Sequence, residues 1–470
     1  MSRTRVPDSL SDADFSCDSG GDATRHLPSA SSPMRQSPTT RSIALLFLVW
    51  LGSGELGCLS AFPTADSAPA GPTDSWAGRQ SECRPRFPSQ DGWYGGDAAY
   101  SVPLPLGGGR VSLWLFGDSF VERPERPGQR AYPFVHNTIG LSRCDAKGNW
   151  TLDTFWRRDR SGTPRAFFVP DAEADWVRSA KQEADPLAYY WPFGGFIVHD
   201  TLFVGLLRVV HSLPRGLFNL PFRLAGMDLA RIENFRDDPM DWRIQLSTFS
   251  DNRQAFPGSA FALTASHLHA FAFFDRGDGH APRMLSRIDL EALEDWRPDL
   301  SDALEYLAID RRWRAGFEPD DALIVMRDDA SEMSVHFDSE SQTWIATYSP
   351  LERANSTPAA TPVLVRSAPD LAGPWSEPEE IFTIPETNPG PLGDVDENLF
   401  CYAAKAHPQF SSQTELVITY VCNLFANQPE ETSEILERLR TNTNLYRPRS
   451  VPITVPTTVH SDRKSNSTSD

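Results

Sequence analysis

Apolar residues recur along this chain in short alternating runs, and the runs come in pairs. Each pair reads as a hairpin: a strand, a polar or glycine-rich turn, then a more apolar strand. Five such pairs follow one another. Residues 97–103 turn through Gly107-Gly108-Gly109 into 111–116. Residues 195–198 turn at His199-Asp200 into 202–207. Residues 260–263 turn near Ala265-Ser266 into 268–274. Residues 333–337 turn through 339–341 into 344–348, and residues 400–406 turn around Ser411-Ser412 into 416–421.

A second signature trails the first four pairs. A short apolar strand is followed by a polar stretch ending in tryptophan: 139–143 to Trp150, 224–228 to Trp242, 284–289 to Trp296, and 363–367 to Trp375. This reads as a third strand and a turn pinned by an indole, then a fourth strand such as 380–384. Four strands repeated five times predict an all-β chain folded as a five-bladed β-propeller over residues 85–455. No single unit can cover both faces of its own sheet, so neighbouring units must pack on it. A β-sandwich with irregular loops is the competing fold. Two long loops, 157–189 and 297–330, interrupt the repeat and are candidate lids, or else decoration shielding a blade edge.

The flanks read differently. Residues 1–61 begin polar and continue into an apolar run at 42–51, preceded by Arg35 and Arg41. That run is shorter than the roughly 20 residues that cross a bilayer. It fits the core of a secretory signal cleaved between Gly57 and Ala61, with an uncleaved anchor as the other reading. A start at Met34 would give such a signal ordinary proportions. Cys58 resembles a lipidated cysteine, but Glu55 stands where a lipoprotein box wants an aliphatic residue. Residues 62–84 read as a linker and 456–470 as a frayed tail.

Export, to the periplasm, cell surface or medium, permits disulfides. Cys401 and Cys422 lie symmetrically about the Ser411-Ser412 turn, which places them opposite each other on adjacent strands and predicts a bridge. Cys83 and Cys144 remain as a second pair, tying the linker to blade one.

Composition narrows the function. The net charge of -19 argues against a nucleic-acid partner, which needs a basic surface. The 13 Trp and 28 Phe suit strands, and also suit platforms for sugar rings. No CxxC or Cys/His cluster suggests zinc; no cofactor is expected, and a structural calcium ion is compatible with the sequence but not indicated by it. The expected state is a monomer acting on a polysaccharide or oligosaccharide.

In a propeller, the start of a blade's inner strand and the end of its second strand share one mouth of the central funnel. A turn centred between Gly107 and Gly108 sets Asp97 opposite Asp118, within about 4.5–5.5 Å between Cβ atoms. Carboxylates that close repel, one is driven towards its neutral form, and the pair becomes a general acid beside an ionised partner. Glu332 opens the inner strand of blade four and is a third acid candidate. Candidate substrate contacts around this mouth are Trp93, Tyr94, His136, Asn137, Tyr190, Trp191, Phe256 and Asn423. Each has a bland alternative as a core or capping residue. Lys405 and His407 lie in blade five, His407 near the turn and structural.

Several short runs, in order, resemble a known family: Gly95-Gly96-Asp97, Trp114-Leu115-Phe116-Gly117-Asp118, His136-Asn137-Thr138-Ile139, Trp191-Pro192 with Gly194-Gly195, Glu332-Met333-Ser334-Val335, and Ala404-Lys405-Ala406-His407-Pro408. They are similar to bacterial domains first labelled as of unknown function, some of which are endo-D-arabinanases acting on mycobacterial cell-wall arabinan. The resemblance covers roughly residues 90–455. It implies a five-bladed propeller related to propeller glycosidases, with Asp97 and Asp118 as the catalytic pair. Phe193 and the long insertions depart from the pattern, which puts arabinan in question as the substrate. A sialidase reading is weaker, because the Asp-box-like run 142–150 does not recur and no arginine trio can be assigned. The leading function is hydrolysis of a glycoside, and the alternative is a non-catalytic propeller that binds glycan or protein at the same funnel.

Overall fold

The computed structural model describes residues 77–121, 134–181, 187–211, 222–277, 280–330, 332–351, 360–388, 395–425 and 431–454. The signal or anchor segment, Cys58, most of the linker and the tail lie outside them.

Among the described residues the strands form five blade sheets and one two-stranded flap. Blade one runs outward through β1 (Trp93–Leu104), β2 (Val111–Val121), with β3 (Phe134–Val135) at its end, then β4 (Thr138–Cys144) and β5 (Trp150–Phe155). A flap of β6 (Arg157–Arg158) and β7 (Pro164–Arg165) and helix α1 (Asp175–Ala180) follow. Blade two is β8 (Ala188–Val198), β9 (Thr201–His211), β10 (Phe222–Ile232) and β11 (Gln245–Ser250). Blade three is β12 (Ala255–Leu263), β13 (His267–Phe274) and β14 (Arg283–Asp289), then helix α2 (Leu290–Glu294), β15 (Glu305–Leu307) and β16 (Trp313–Ala315), with β17 (Ile324–Met326) pairing back onto β14. Blade four is β18 (Met333–Asp338), β19 (Thr343–Tyr348), β20 (Pro362–Ala368) and β21 (Glu379–Thr383). Blade five has β22 (Leu399–Ala406), β23 (Glu415–Leu424) and β24 (Arg449–Thr454), with α3 (Thr432–Thr441) between the last two. The inner strands β1, β8, β12, β18 and β22 pack each on the next, and β22 returns to β1. The fold is therefore a five-bladed β-propeller.

The sequence signatures have direct physical causes. Strands covered on both faces need near-continuous apolar runs, and Leu113, Trp114, Leu115 and Phe116 are all fully buried. Two of the recurring tryptophans hold their own turns: Trp242 donates to the Asp237 carbonyl at 3.1 Å and Trp375 to the Leu371 carbonyl at 3.1 Å. The loop at 297–330 is not a lid. It supplies β15, β16 and β17 to the edge of blade three.

Among the described residues, ring closure uses no shared sheet. The residues expected as the end of a linker, 77–84, instead bridge blades five and one. Gly78 and Gln80 donate backbone N–H groups to Pro408 and Gln409 at 2.9 and 2.7 Å. Gln80 is buried and reaches the Ser112 hydroxyl at 2.9 Å. Cys83 is joined to Cys144, and Cys401 to Cys422 across the blade-five hairpin, with Cα atoms 5.9 and 4.0 Å apart. His407 is buried between Ser101 and Thr419 in the same seam.

Candidate active site

The β1–β2 register follows the Gly107-Gly108 turn at both ends, with Leu104 opposite Val111 and Gly96 opposite Ser119. Between them β1 bulges, and Ala98 and Ala99 both take left-handed backbone angles, with φ of 63° and 57°. Alanine resists this region by roughly 1–2 kcal/mol per residue. The bulge brings the Asp97 carboxyl over Gly117, where a Cβ would collide with Asp97 Oδ1. A second bulge in β22, with Ala403 at φ 61°, follows Tyr402. The Tyr402 hydroxyl donates to Asp97 Oδ2 at 2.6 Å. Tyr446, on the chain leading into β24, hydrogen-bonds to both Asp97 and Tyr402. Its backbone lies so close to Gly95 that any side chain at that position would strike the Tyr446 carbonyl.

Asp97 is half-buried as a residue, but its carboxyl is set deep. Burial, then the charges of Asp118 and Glu332, push its pKa up to about 8, against the pull of the two phenols. At neutral pH it is mostly the neutral acid. Asp118 stays partly open, with 18% of its side chain exposed. Its Oδ1 accepts from Trp191 Nε1 at 2.9 Å and from His136 Nδ1 at 3.0 Å. The His136 ring stacks on Tyr189 at 3.6 Å and 11°. Glu332 is buried and pairs with Lys405 Nζ at 3.3 Å. Lys405 also donates to the Ala403 carbonyl at 2.8 Å and lies 4.3 Å above the Tyr100 ring. Burial lowers the Lys405 pKa, and the Glu332 charge opposes that fall. The structure thus brings both Asp118 and Glu332 into electrostatic range of Asp97, with His136 and Trp191 beside Asp118.

Four expected substrate contacts are corrected by burial. Trp93 is enclosed and donates to Thr138 Oγ1 at 3.2 Å. Asn137 spends its amide on Phe168 and Tyr190, at 2.7, 3.0 and 2.9 Å. The Tyr190 phenol is bound to the Asp228 carboxylate, and Phe256 stacks on Phe273 at 5.0 Å inside the core. Tyr94 is half-buried against the Phe120 and Leu424 cluster, and half-buried Asn423 caps the Leu424 N–H at 2.8 Å. Tyr189, Tyr402, Tyr446 and the Lys405 pairing were not read as site features. Tyr402 had one usable signal, its place on an inner strand three residues before Lys405. Tyr446 had none, because it sits outside the repeat. Among the described residues, the one group with metal-ligand proximity is Glu386 with Cys401 and Cys422, and the disulfide occupies both sulfurs.

Residues 85–454 match the family described as a domain of unknown function, DUF5005, and the chain belongs to that family. No curated protein matches the sequence. Among solved structures, the chain resembles a "putative hydrolase" from Bacteroides ovatus at 19% identity and a TM-score of 0.54, covering 77% of this chain and 86% of that one. This likeness shows the fold. An α-L-arabinanase from Cellvibrio cellulosa in complex with arabinohexaose matches at 10% identity and a TM-score of 0.41, over 77% of this chain and 93% of that one. An exo-1,5-α-L-arabinanase from a bovine ruminal metagenomic library matches at 9% and 0.38, over 76% and 92%.

Proposed function

We propose that this protein is an exported glycoside hydrolase that cleaves a polysaccharide at the funnel of blade one, with arabinan as the first substrate to test. The observation that carries the reading is the setting of Asp97, a carboxyl held by the Tyr402 hydroxyl and lying within electrostatic range of a second, solvent-reachable carboxyl, with its pKa pushed up by burial and by that neighbour. Keeping a desolvated acid next to two others costs stability, and sites that do so are those that move protons.

The chemistry follows from that difference. Asp97 gives its proton to the departing glycosidic oxygen as the C–O bond breaks. The Asp118 carboxyl group faces the positive charge that develops at the anomeric carbon. A water molecule then supplies the hydroxyl to that carbon and a proton to the emptied acid, so atoms and charge balance. Glu332, paired with Lys405, adds negative potential that favours the neutral form of Asp97. Two disulfides suit an oxidising compartment.

The test is a panel of neutral and acidic polysaccharides, arabinans included, with release of reducing ends as readout. The wild-type protein should cleave one class, and Asp97→Asn and Asp118→Asn should each lose that activity while remaining folded. Binding without cleavage by the wild type would favour the non-catalytic alternative.

A further inference from the structure

We infer that His136 and Trp191 are positioning residues that clamp one oxygen of Asp118, so that its reacting atom is Oδ2. This rests on the hydrolase reading above and assigns the parts of its site.

A carboxylate oxygen offers two lone pairs. Asp118 Oδ1 meets two N–H donors, from Trp191 at 2.9 Å and His136 at 3.0 Å, which fill both. An indole N–H can only donate. His136 must therefore carry its proton on Nδ1 to share that oxygen. Neither ring is free to swing away. His136 lies flat on Tyr189 at 3.6 Å and meets Phe134 edge-on at 5.5 Å. Trp191 is wedged between Phe222 at 4.8 Å and Tyr189 at 5.7 Å. Fixing one oxygen in this way fixes the plane of the carboxylate and leaves Oδ2 as its open face.

His136 and Trp191 therefore act through Asp118, since the polar atoms they use are already engaged.

The test separates positioning from substrate contact. Trp191→Phe keeps the ring and loses the donor. His136→Leu loses the donor, whereas His136→Asn keeps an N–H at the Nδ1 position. On the cleaved polysaccharide, the first two should lower kcat by about 10²-fold with KM nearly unchanged, and His136→Asn should recover most of the loss. A raised KM at unchanged kcat would make them substrate contacts and overturn the assignment. A second readout needs neither activity nor a variant that might misfold: ¹⁵N NMR of the His136 ring in the wild-type protein. The Nδ1–H tautomer is expected. An Nε2–H tautomer overturns the clamp even in an active enzyme, while the expected tautomer in a protein that cleaves nothing would leave the clamp standing and sink the hydrolase reading.

Discussion

Blades one and four both present an acid at the head of the inner hairpin, and they treat it in opposite ways. In blade four the hairpin is regular, pairing Met333 with Tyr348 through to Asp338 with Thr343 without a break. Its acid, Glu332, is buried and satisfied by the Lys405 ammonium. In blade one the hairpin is broken three times, two alanines sit in left-handed conformations, and the acid is met by phenols. Burial and the neighbouring acids favour the neutral form of Asp97, and the two phenols that donate to it only partly offset them. Local backbone strain collects in β1 and β22, next to Asp97 and Tyr402. The other left-handed non-glycine residues, such as His199, Asp200 and Gln342, lie in turns. Strain of this kind persists where surrounding structure over-determines a geometry that function uses. Here the surroundings include the Tyr446 segment packed on Gly95.

The contrast can be broken most forcibly at Asp97. Asp97→Asn should lower kcat on a natural polysaccharide by about 10²–10⁴-fold, the usual contribution of a general acid. Next comes the blade-four pair. Lys405→Met strands a buried carboxylate and should cost about 3–5 kcal/mol in urea unfolding, much of it recovered when Glu332→Gln is added. Equal losses in the single and double variants would show that the pair is not what stabilises that seam.

The third test uses pH. The Asp97 proton leaves near 3.8 in the unfolded chain and near 8 in the folded one. Between those values the folded state holds the extra proton, so this group's contribution to stability falls as pH rises across that window and levels off above it. Asp97→Asn should remove that slope and be more stable than wild type at about pH 9, by about 2–3 kcal/mol once partial solvent access is discounted. Parallel stability–pH curves for the two proteins would contradict the shift. The smallest effect is expected at Ala403. Ala403→Gly relieves a left-handed alanine and should gain about 1 kcal/mol, read as a raised unfolding midpoint.

Much of the fold was legible because strand pairing writes itself into period-two patterns. The five hairpins, the tryptophan-ended third strands and the Cys401–Cys422 pairing all follow from local alternation and turn position. The glycine turn gave the register at both ends of the blade-one hairpin, but not the bulge between Gly96 and Ala98 that sets the Asp97 carboxyl over Gly117. What escaped was set by contacts distant in sequence. Trp93, Asn137, Tyr190 and Phe256 stand at the right ends of the right strands, yet their side chains are claimed by Thr138, Phe168, Asp228 and Phe273. Periodicity gives the strand position of a residue but not the neighbouring blade that covers it. The linker composition of residues 77–84 likewise concealed a clasp, because Gln80 and Cys83 draw their order from partners in blades five and one.

The central claim is that Asp97 is a neutral acid at physiological pH. Infrared difference spectra between wild type and Asp97→Asn, followed from about pH 6 to about pH 10, address it directly. A protonated-carboxyl band present at the acid end and lost with a midpoint near 8 is the expected result. No such band at about pH 6 would mean that Asp97 is already ionised there, and the division of labour between the two aspartates would be wrong.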